Sequence, residues 1–278
     1  MRSRRFRQID VFASTPYRGN PVAVVVDGDG LDDAQMAAFA RWTNLSETTF
    51  ILPPRVPRAD YRLRIFTTAR ELPFAGHPTL GSAHAWLAAG GAPQAGGCVV
   101  QECAAGLIDI RCDGEHLAFA APPLQREGPV AGDVVERVVR GLRVDPQRVR
   151  AVQWVDNGPG WIGVLLDSAR TVLELAIDAD ALYGLDVGVI GAHDDAAIAD
   201  YEVRAFCSER TVVEDPVTGS LNASLGQWLI GSGIAAPRYR ARQGTVLGRS
   251  GMVHVEQRDG RIWVGGQCVA CIEGIVRI

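Results

Sequence analysis

No stretch of this 278-residue sequence approaches the roughly 18 consecutive apolar residues that carry a helix across a bilayer. The basic start, Arg2 to Arg7, is short and reads as a solvated N-terminus. It runs into alternating, strand-like sequence, not into the apolar stretch and small-residue cleavage site of a signal peptide. A cytoplasmic protein is expected. Positive charge is neither abundant nor clustered, and the formal net charge is −4. That balance gives no reason to expect a nucleic-acid or membrane partner.

Other signatures are missing too. There is no G-x-x-x-x-G-K-[ST] phosphate loop, no H-E-x-x-H and no G-x-S-x-G. The five histidines, at 77, 84, 116, 193 and 254, are scattered, and no metal site is expected. Of the six cysteines, Cys268 and Cys271 have a C-x-x-C spacing, but no second pair completes a zinc set. A redox pair belongs at a helix N-terminus. This one lies in the β-rich tail VGGQCVACIEGIVRI, where alternating strand positions and a turn account for it. Reduced, structural thiols are expected throughout.

What is present suits a globular protein. With 47% hydrophobic and 22% charged residues the chain can bury large cores, and its length suggests about two domains. The first half reads as strands near Ile9–Phe12, Val22–Val26, Thr48–Leu52 and Tyr61–Thr67. In the last of these, Tyr61, Leu63 and Ile65 alternate with Arg62 and Arg64. A capping box, Asp32 with Gln35, opens a helix to about Trp42, and a second helix is expected from Pro78 to Ala89. Strands follow near Val99–Glu102, Leu107–Arg111 and Leu117–Ala120. Pro122-Pro123 marks the expected boundary, giving domains 1–123 and 124–278, with the last strand able to return to the first domain. The second half reads as a helix over Asp133–Leu142, strands near Val152–Val155, Trp161–Leu166 and Tyr201–Phe206, and a helix over Leu221–Ile230. It closes on strands at Thr245–Leu247, Met252–Glu256 and Ile262–Val264.

The halves echo each other. Pro73-Phe-Ala-Gly76-His77 leads into one helix, and Pro216-Val-Thr-Gly219-Ser220 leads into another, 143 residues later. Gly19-Asn20-Pro21 and Asn157-Gly158-Pro159 each precede an apolar strand. Repetition at half length points to two similar α+β domains facing each other, with a ligand cleft between them. Gly76 and Gly219 let backbone approach a ligand. The helix starts behind them offer free N–H groups and a positive dipole end to an anion such as a carboxylate. An ordinary pair of strand-to-helix turns explains the same spacing.

Glu47 stands between a helix and a strand. It reads either as a turn residue, hydrogen-bonding locally with Ser46 after Asn44 ends the helix, or as a general acid/base whose direction a strand fixes. His77 reads as a structural imidazole or as a proton shuttle, and Asp215 as a helix-dipole partner or as a second carboxylate. Together the three divide proton-transfer roles well.

Five segments then carry a resemblance: G-N-P-V-A-V (19–24), N-L-S-E-T-T-F (44–50), E-L-P-F-A-G-H-P-T-L-G (71–81), E-D-P-V-T-G-S (214–220) and Q-G-T-V-L-G-R-S-G (243–251). In this order they resemble the motifs of the PhzF-like family of phenazine biosynthesis, over almost the whole chain. The resemblance implies the diaminopimelate-epimerase fold: α+β, two pseudo-two-fold-related domains, each a β-barrel-like sheet around a central helix. It implies a cofactor-free isomerase acting on a small carboxylate-bearing metabolite, trans-2,3-dihydro-3-hydroxyanthranilate in the phenazine member, and a homodimer. Glu47 matches the glutamate that carries the proton. His77 and Asp215 match its other proton-handling positions, and Ser46, Gly76, Gly219 and Ser220 match substrate-binding ones. Two-cysteine racemases of this fold place a thiol before each helix-start glycine; here those places hold Ala75 and Thr218, so a two-thiol racemisation is excluded. An epimerase with Glu47 and Asp215 or His77 as bases, and a non-catalytic small-molecule binder, are the alternative readings.

Overall fold

The computed structural model describes residues 1–208 and 213–278, and the chain divides into two units. One is Met1–Ala120 with Gly265–Ile278, the other Ala121–Val264.

The first unit is built from β1 (Ser3–Val11), β2 (Asn20–Val25), α1 (Asp33–Thr43), β3 (Glu47–Leu52), β4 (Tyr61–Phe66), β5 (Glu71–Leu72), α2 (Gly76–Ala88), β6 (Cys98–Cys103), β7 (Gly106–Asp113) and β8 (His116–Ala120). β1 pairs antiparallel with β2, β2 parallel with β3, β3 antiparallel with β4 and β4 parallel with β6. β6, β7 and β8 follow as an antiparallel meander. The C-terminal strand pairs with both β8 and β1, which closes the barrel. A closed ring leaves no unpaired edge.

The helix inside this barrel is α2, which packs against β1, β2, β3, β4, β6 and β8. Residues 76 to 83 of α2 are all buried, as befits a helix that is apolar and small on every side. Gly81 is required by the fit: a Cβ there would lie 2.4 Å from Val22 Cγ1. By contrast α1 lies outside, covering Val25, Phe50 and Phe66 with Met36 and Ala40. Its capping box is formed as expected, and Asn44 ends it in the left-handed conformation at φ 56°.

The second unit runs β9 (Arg126–Pro129), α3 (Gly132–Leu142), β10 (Val149–Asp156), β11 (Trp161–Leu166), α4 (Ala169–Glu174), α5 (Ala179–Leu182), β12 (Asp186–Ala192), β13 (Tyr201–Cys207), β14 (Val213–Asp215), α6 (Gly219–Gly231), β15 (Arg238–Gln243), β16 (Gly251–Arg258) and the first residues of β17 (Arg261–Arg277). Its pairings repeat those of the first unit in order: β10–β11 antiparallel, β11–β12 parallel, β12–β13 antiparallel, β13–β15 parallel and β15–β16 antiparallel. α6 takes the place of α2 and packs on β10, β11 and β16. Two α+β units of like topology, each a barrel-like sheet with a central helix, are the fold class the motifs implied.

Three local expectations change. The basic start is not a solvated tail: it lies in β1, where buried Arg4 donates to the carbonyls of Asp27 and Asp29 and Arg5 grips the Asp27 carboxylate. Arginine's several donors can satisfy two carbonyls at once, which makes its burial tolerable. Thr245–Leu247 is a 3₁₀ turn between Gly244 and Gly248, both at positive φ, and not a strand; the true strand before it is β15. Finally, Cys268 and Cys271 stand in one unbroken strand with no turn. Cys271 occupies the bulge where Gln8 pairs with Ile272 and Ile9 with Ala270. Both are free thiols, and burial pushes Cys268 up to about 12. Trp228 and Trp263 are buried.

Candidate active site

In the first unit, the Gly19-Asn20-Pro21 turn, the start of β3 and the start of α2 supply one cluster. Buried Asp10 accepts from the backbone N–H groups of Arg18 and Gly19, at 2.8 and 2.9 Å. This pins the turn to β1 so closely that a Cβ on residue 19 would meet the Val11 carbonyl at 2.0 Å, which is why glycine stands there. Asn20 is thereby held with Nδ2 3.4 Å from His77 Nδ1. Glu47 is the first residue of β3 and lies beside Val22 in the parallel β2–β3 register. The residues after it are locked: the Thr48 hydroxyl bonds that of Thr43 at 2.7 Å, and the Thr49 hydroxyl bonds that of Ser82 at 2.9 Å. With its backbone fixed in this way, the Glu47 carboxylate comes to 3.2 Å between Oε2 and His77 Nε2, its side chain 15% exposed against 5% for the histidine.

His77 is the second residue of α2. Ala75, the N-cap, offers no side-chain hydrogen bond, and Pro78 has no N–H of its own, a common occupant of a first turn. The N–H groups of Gly76 and His77 therefore head the helix without a capping side chain. Burial pushes the His77 imidazole down to about 3, against a smaller upward pull from donation to the Pro21 carbonyl. It is neutral at neutral pH. Ser46 is exposed, next to Glu47.

In the second unit, Asp215, Gly219 and Ser220 gather at the start of α6. The Thr218 hydroxyl donates to Asp215 Oδ2 at 2.5 Å. Ser220 Oγ accepts from the Trp161 indole at 3.1 Å, and the Ser220 carbonyl accepts from Asn157 Nδ2 at 2.9 Å. Here too the N-cap side chain, Thr218, is turned away from the helix N–H groups. Glu214, one residue before Asp215, lies in a two-bond fork from buried Arg204 at 2.9 and 2.8 Å, the strong planar arrangement of an arginine–carboxylate pair.

Structure thus brings Glu47 and His77 into direct contact, 30 residues apart in the chain. It groups Asp215, Gly219 and Ser220 about one helix start. Reading the residues in isolation missed the supports: Asp10, Asn20, Thr218, Asn222 and Gln243. Asn20, Thr218 and Gln243 lie inside the motifs G-N-P, E-D-P-V-T-G-S and Q-G-T, whereas Asp10 and Asn222 lie outside the quoted motifs. Among the described residues, no group of three or more His, Cys, Asp or Glu is placed to hold a metal. The sequence contains no lysine, so no side-chain amine is available for a Schiff base with a carbonyl substrate or pyridoxal phosphate.

The chain as a whole is similar to known proteins. The sequence model of a family described as "Phenazine biosynthesis-like protein" matches residues 9–274. The chain is 34% identical over 258 residues to the trans-2,3-dihydro-3-hydroxyanthranilate isomerase of Pseudomonas chlororaphis, covering 91% of this chain and 90% of that one. It is 36% identical over 297 residues to Antisense-enhancing sequence 1 of Schizosaccharomyces pombe, covering 99% of both. A crystal structure of a PhzF-family phenazine biosynthesis protein from Enterococcus faecalis superposes with a TM-score of 0.83 at 26% identity, over the full length of both chains.

Proposed function

We propose that this chain, which belongs to the phenazine biosynthesis-like (PhzF) family and is an isomerase, works by acid/base movement of a proton between carbon atoms of a small carboxylate-bearing metabolite, without a cofactor. The observation that carries the reading is the Glu47–His77 contact of 3.2 Å at an uncapped helix start. A carboxylate in a largely buried, rigidly mounted position is suited to take a proton from carbon and return it elsewhere. A neutral His77 leaves Glu47 as the group whose protonation changes, and His77 Nε2 can accept a hydrogen bond from the Glu47 carboxyl when that carboxyl carries the proton. The N–H groups of Gly76 and His77 supply partial positive charge for a substrate anion, with Ser46 at hand for a polar group. Asp215 enters as the second proton-handling carboxylate, and Gly219 and Ser220 as substrate-positioning residues, on the strength of their motif.

The named substrate of the Pseudomonas chlororaphis relative suggests the class: a small unsaturated ring bearing a carboxylate. The same reading includes a homodimer, which sedimentation would weigh, and no nucleic-acid partner. Its test uses trans-2,3-dihydro-3-hydroxyanthranilate and related carboxylates in deuterated water. The expected result is a shifted double bond, seen in the ultraviolet spectrum, with solvent deuterium at carbon. Glu47→Gln is expected to keep the fold and to lower kcat by at least about a hundredfold, the scale of a lost general base. Wild-type turnover by that variant would refute the assignment. Exchange at a stereocentre with the same constitution returned would make the protein an epimerase instead.

A further inference from the structure

Hydrogens in the second unit's cluster can be assigned from two backbone groups. The Thr218 N–H can only donate, and it points at Gln243 Oε1, 3.0 Å away. That fixes the glutamine amide: Oε1 faces the helix start, and Nε2 faces the Asp215 carbonyl at 3.1 Å and Thr218 Oγ1 at 2.9 Å. The Thr218 carbonyl can only accept, and Asn222 Nδ2 lies 2.9 Å from it. Asn222 Nδ2 therefore also donates to Gln243 Oε1, at 2.9 Å. Gln243 and Asn222 are fully buried, so their amides have no solvent in which to turn. Because Gln243 Nε2 donates to Thr218 Oγ1, the threonine's single hydroxyl hydrogen is left to point at Asp215 Oδ2, 2.5 Å away. A hydroxyl whose hydrogen is directed at a carboxylate favours the ionised form of that partner.

We propose that Thr218 and Gln243 are positioning residues that hold Asp215 as a hydrogen-bond-accepting carboxylate for the reaction. The inference rests on the role given to Asp215 above. The repeat supports it. In the first unit the residues at the places of Asp215 and Thr218 are Leu72 and Ala75, 143 positions earlier, and the buried glutamine of β6, Gln101, bonds Thr79 and Tyr61. Gln101 thus serves no carboxylate, whereas Gln243 is wired to Asp215 through Thr218. Of the charged groups on neighbouring elements, Arg204 of β13 and Glu214 of β14 are locked in their own fork, while Arg242 lies on β15 and Arg249 just after the turn that follows it.

The test is a carbon-13 NMR titration of the aspartate carboxyls in the full-length protein, with Asp215→Asn assigning the signal. Thr218→Val, which keeps the shape and removes the donor, is expected to raise the Asp215 midpoint by about one pH unit or more. Thr218→Ser should leave it near wild type. The acid limb of the kcat/KM profile with trans-2,3-dihydro-3-hydroxyanthranilate should move in parallel. Thr218→Ala provides the same comparison if the valine variant folds poorly. An unmoved midpoint in both donor-less variants would overturn the proposal. Full activity in Asp215→Asn would instead overturn the role of Asp215 while leaving the titration result intact, so the two failures are separable.

Discussion

In the first unit an arginine of β4, Arg64, forks onto Glu71 of β5 at 2.7 and 2.6 Å and lies 5.0 Å from the centre of the Phe66 ring. In the second unit Arg204 of β13 forks onto Glu214 of β14 at 2.9 and 2.8 Å and lies 5.0 Å from the Phe206 ring. Each clamp turns the chain through a proline into a central helix whose first residue is glycine. Beyond the clamps the units part. Position two of the helix is His77 in one and Ser220 in the other. The first residue of the third barrel strand is Glu47 in one and Asp186 in the other, at matching places in the parallel registers Val22–Glu47 and Trp161–Asp186. Asp186 accepts from the Ser208 backbone at 2.8 Å; Glu47 meets an imidazole. The lesson is that the duplicated part is the mount, while the chemistry was given different side chains on each copy.

Substitutions test that distinction. The clamps should differ most in stability. The Arg204 side chain is only 5% exposed and also caps the carbonyls of Val172 and Leu175. Arg204→Ala leaves Glu214 buried and unpaired, a change that costs about 3–5 kcal/mol. Arg64 also pairs with exposed Asp33 and is itself 18% exposed, so Arg64→Ala should cost nearer 1 kcal/mol, the upper range for surface pairs. Urea melts giving equal losses would break the comparison. The two strand-start carboxylates come next, and they separate activity from structure. Where Glu47→Gln removes about a hundredfold or more of kcat, Asp186→Asn should stay within a factor of about three, its backbone acceptor role being retained by an amide oxygen. A comparable loss in both would mean that the chemistry, too, is duplicated.

Packing of the central helix gives a third, smaller effect. Gly81→Ala drives a methyl to 2.4 Å from Val22 and should cost about 1–3 kcal/mol by overpacking. Gly231→Ala, at the end of α6 with nothing within 4 Å of the added methyl, should be neutral or slightly stabilising. The last expected effect is in pH. His77 is neutral when folded down to about 3, whereas the unfolded chain protonates it near 6.5. Between those values the unfolded state binds the extra proton, so stability falls as pH drops through the window, by at most about 1.4 kcal/mol per pH unit from this group. His77→Asn should flatten that slope, while Ser220→Ala at the matching place should leave it as in wild type.

Much of the frame is visible in residues that act locally. The capping box of Asp32 and Gln35, the left-handed stop at Asn44, and the P-x-x-G entries into both central helices depend on neighbours within a few positions, and those regions fold as expected. The misjudged regions fail for different reasons. Arg4 looks like part of a charged tail because its acceptors, two carbonyls more than twenty residues away, cannot be inferred from a basic run. β12, with Gly188 and Gly191 among its valines, carries no clear strand period. Thr245–Leu247 has strand-forming residues, but the left-handed glycines on either side bend it into a turn.

For the candidate site the division follows the same physics. The sequence by itself determined which side chains are available: a glutamate at a strand start, a histidine and a serine after helix-start glycines, no lysine, and no cysteine at either turn. It also determined that the frame is doubled, because the same helix-entry pattern returns after 143 residues. Only the tertiary structure decided that Glu47 and His77 stand 3.2 Å apart, since that contact depends on the parallel register of β2 with β3 and on Asp10 pinning the Gly19 turn. It alone decided which way the Thr218 hydroxyl points, because the direction follows from buried amides whose backbone partners come from separate segments. Local propensity reaches a few residues along the chain; distances of a few ångströms between remote residues are set by strand register and close packing.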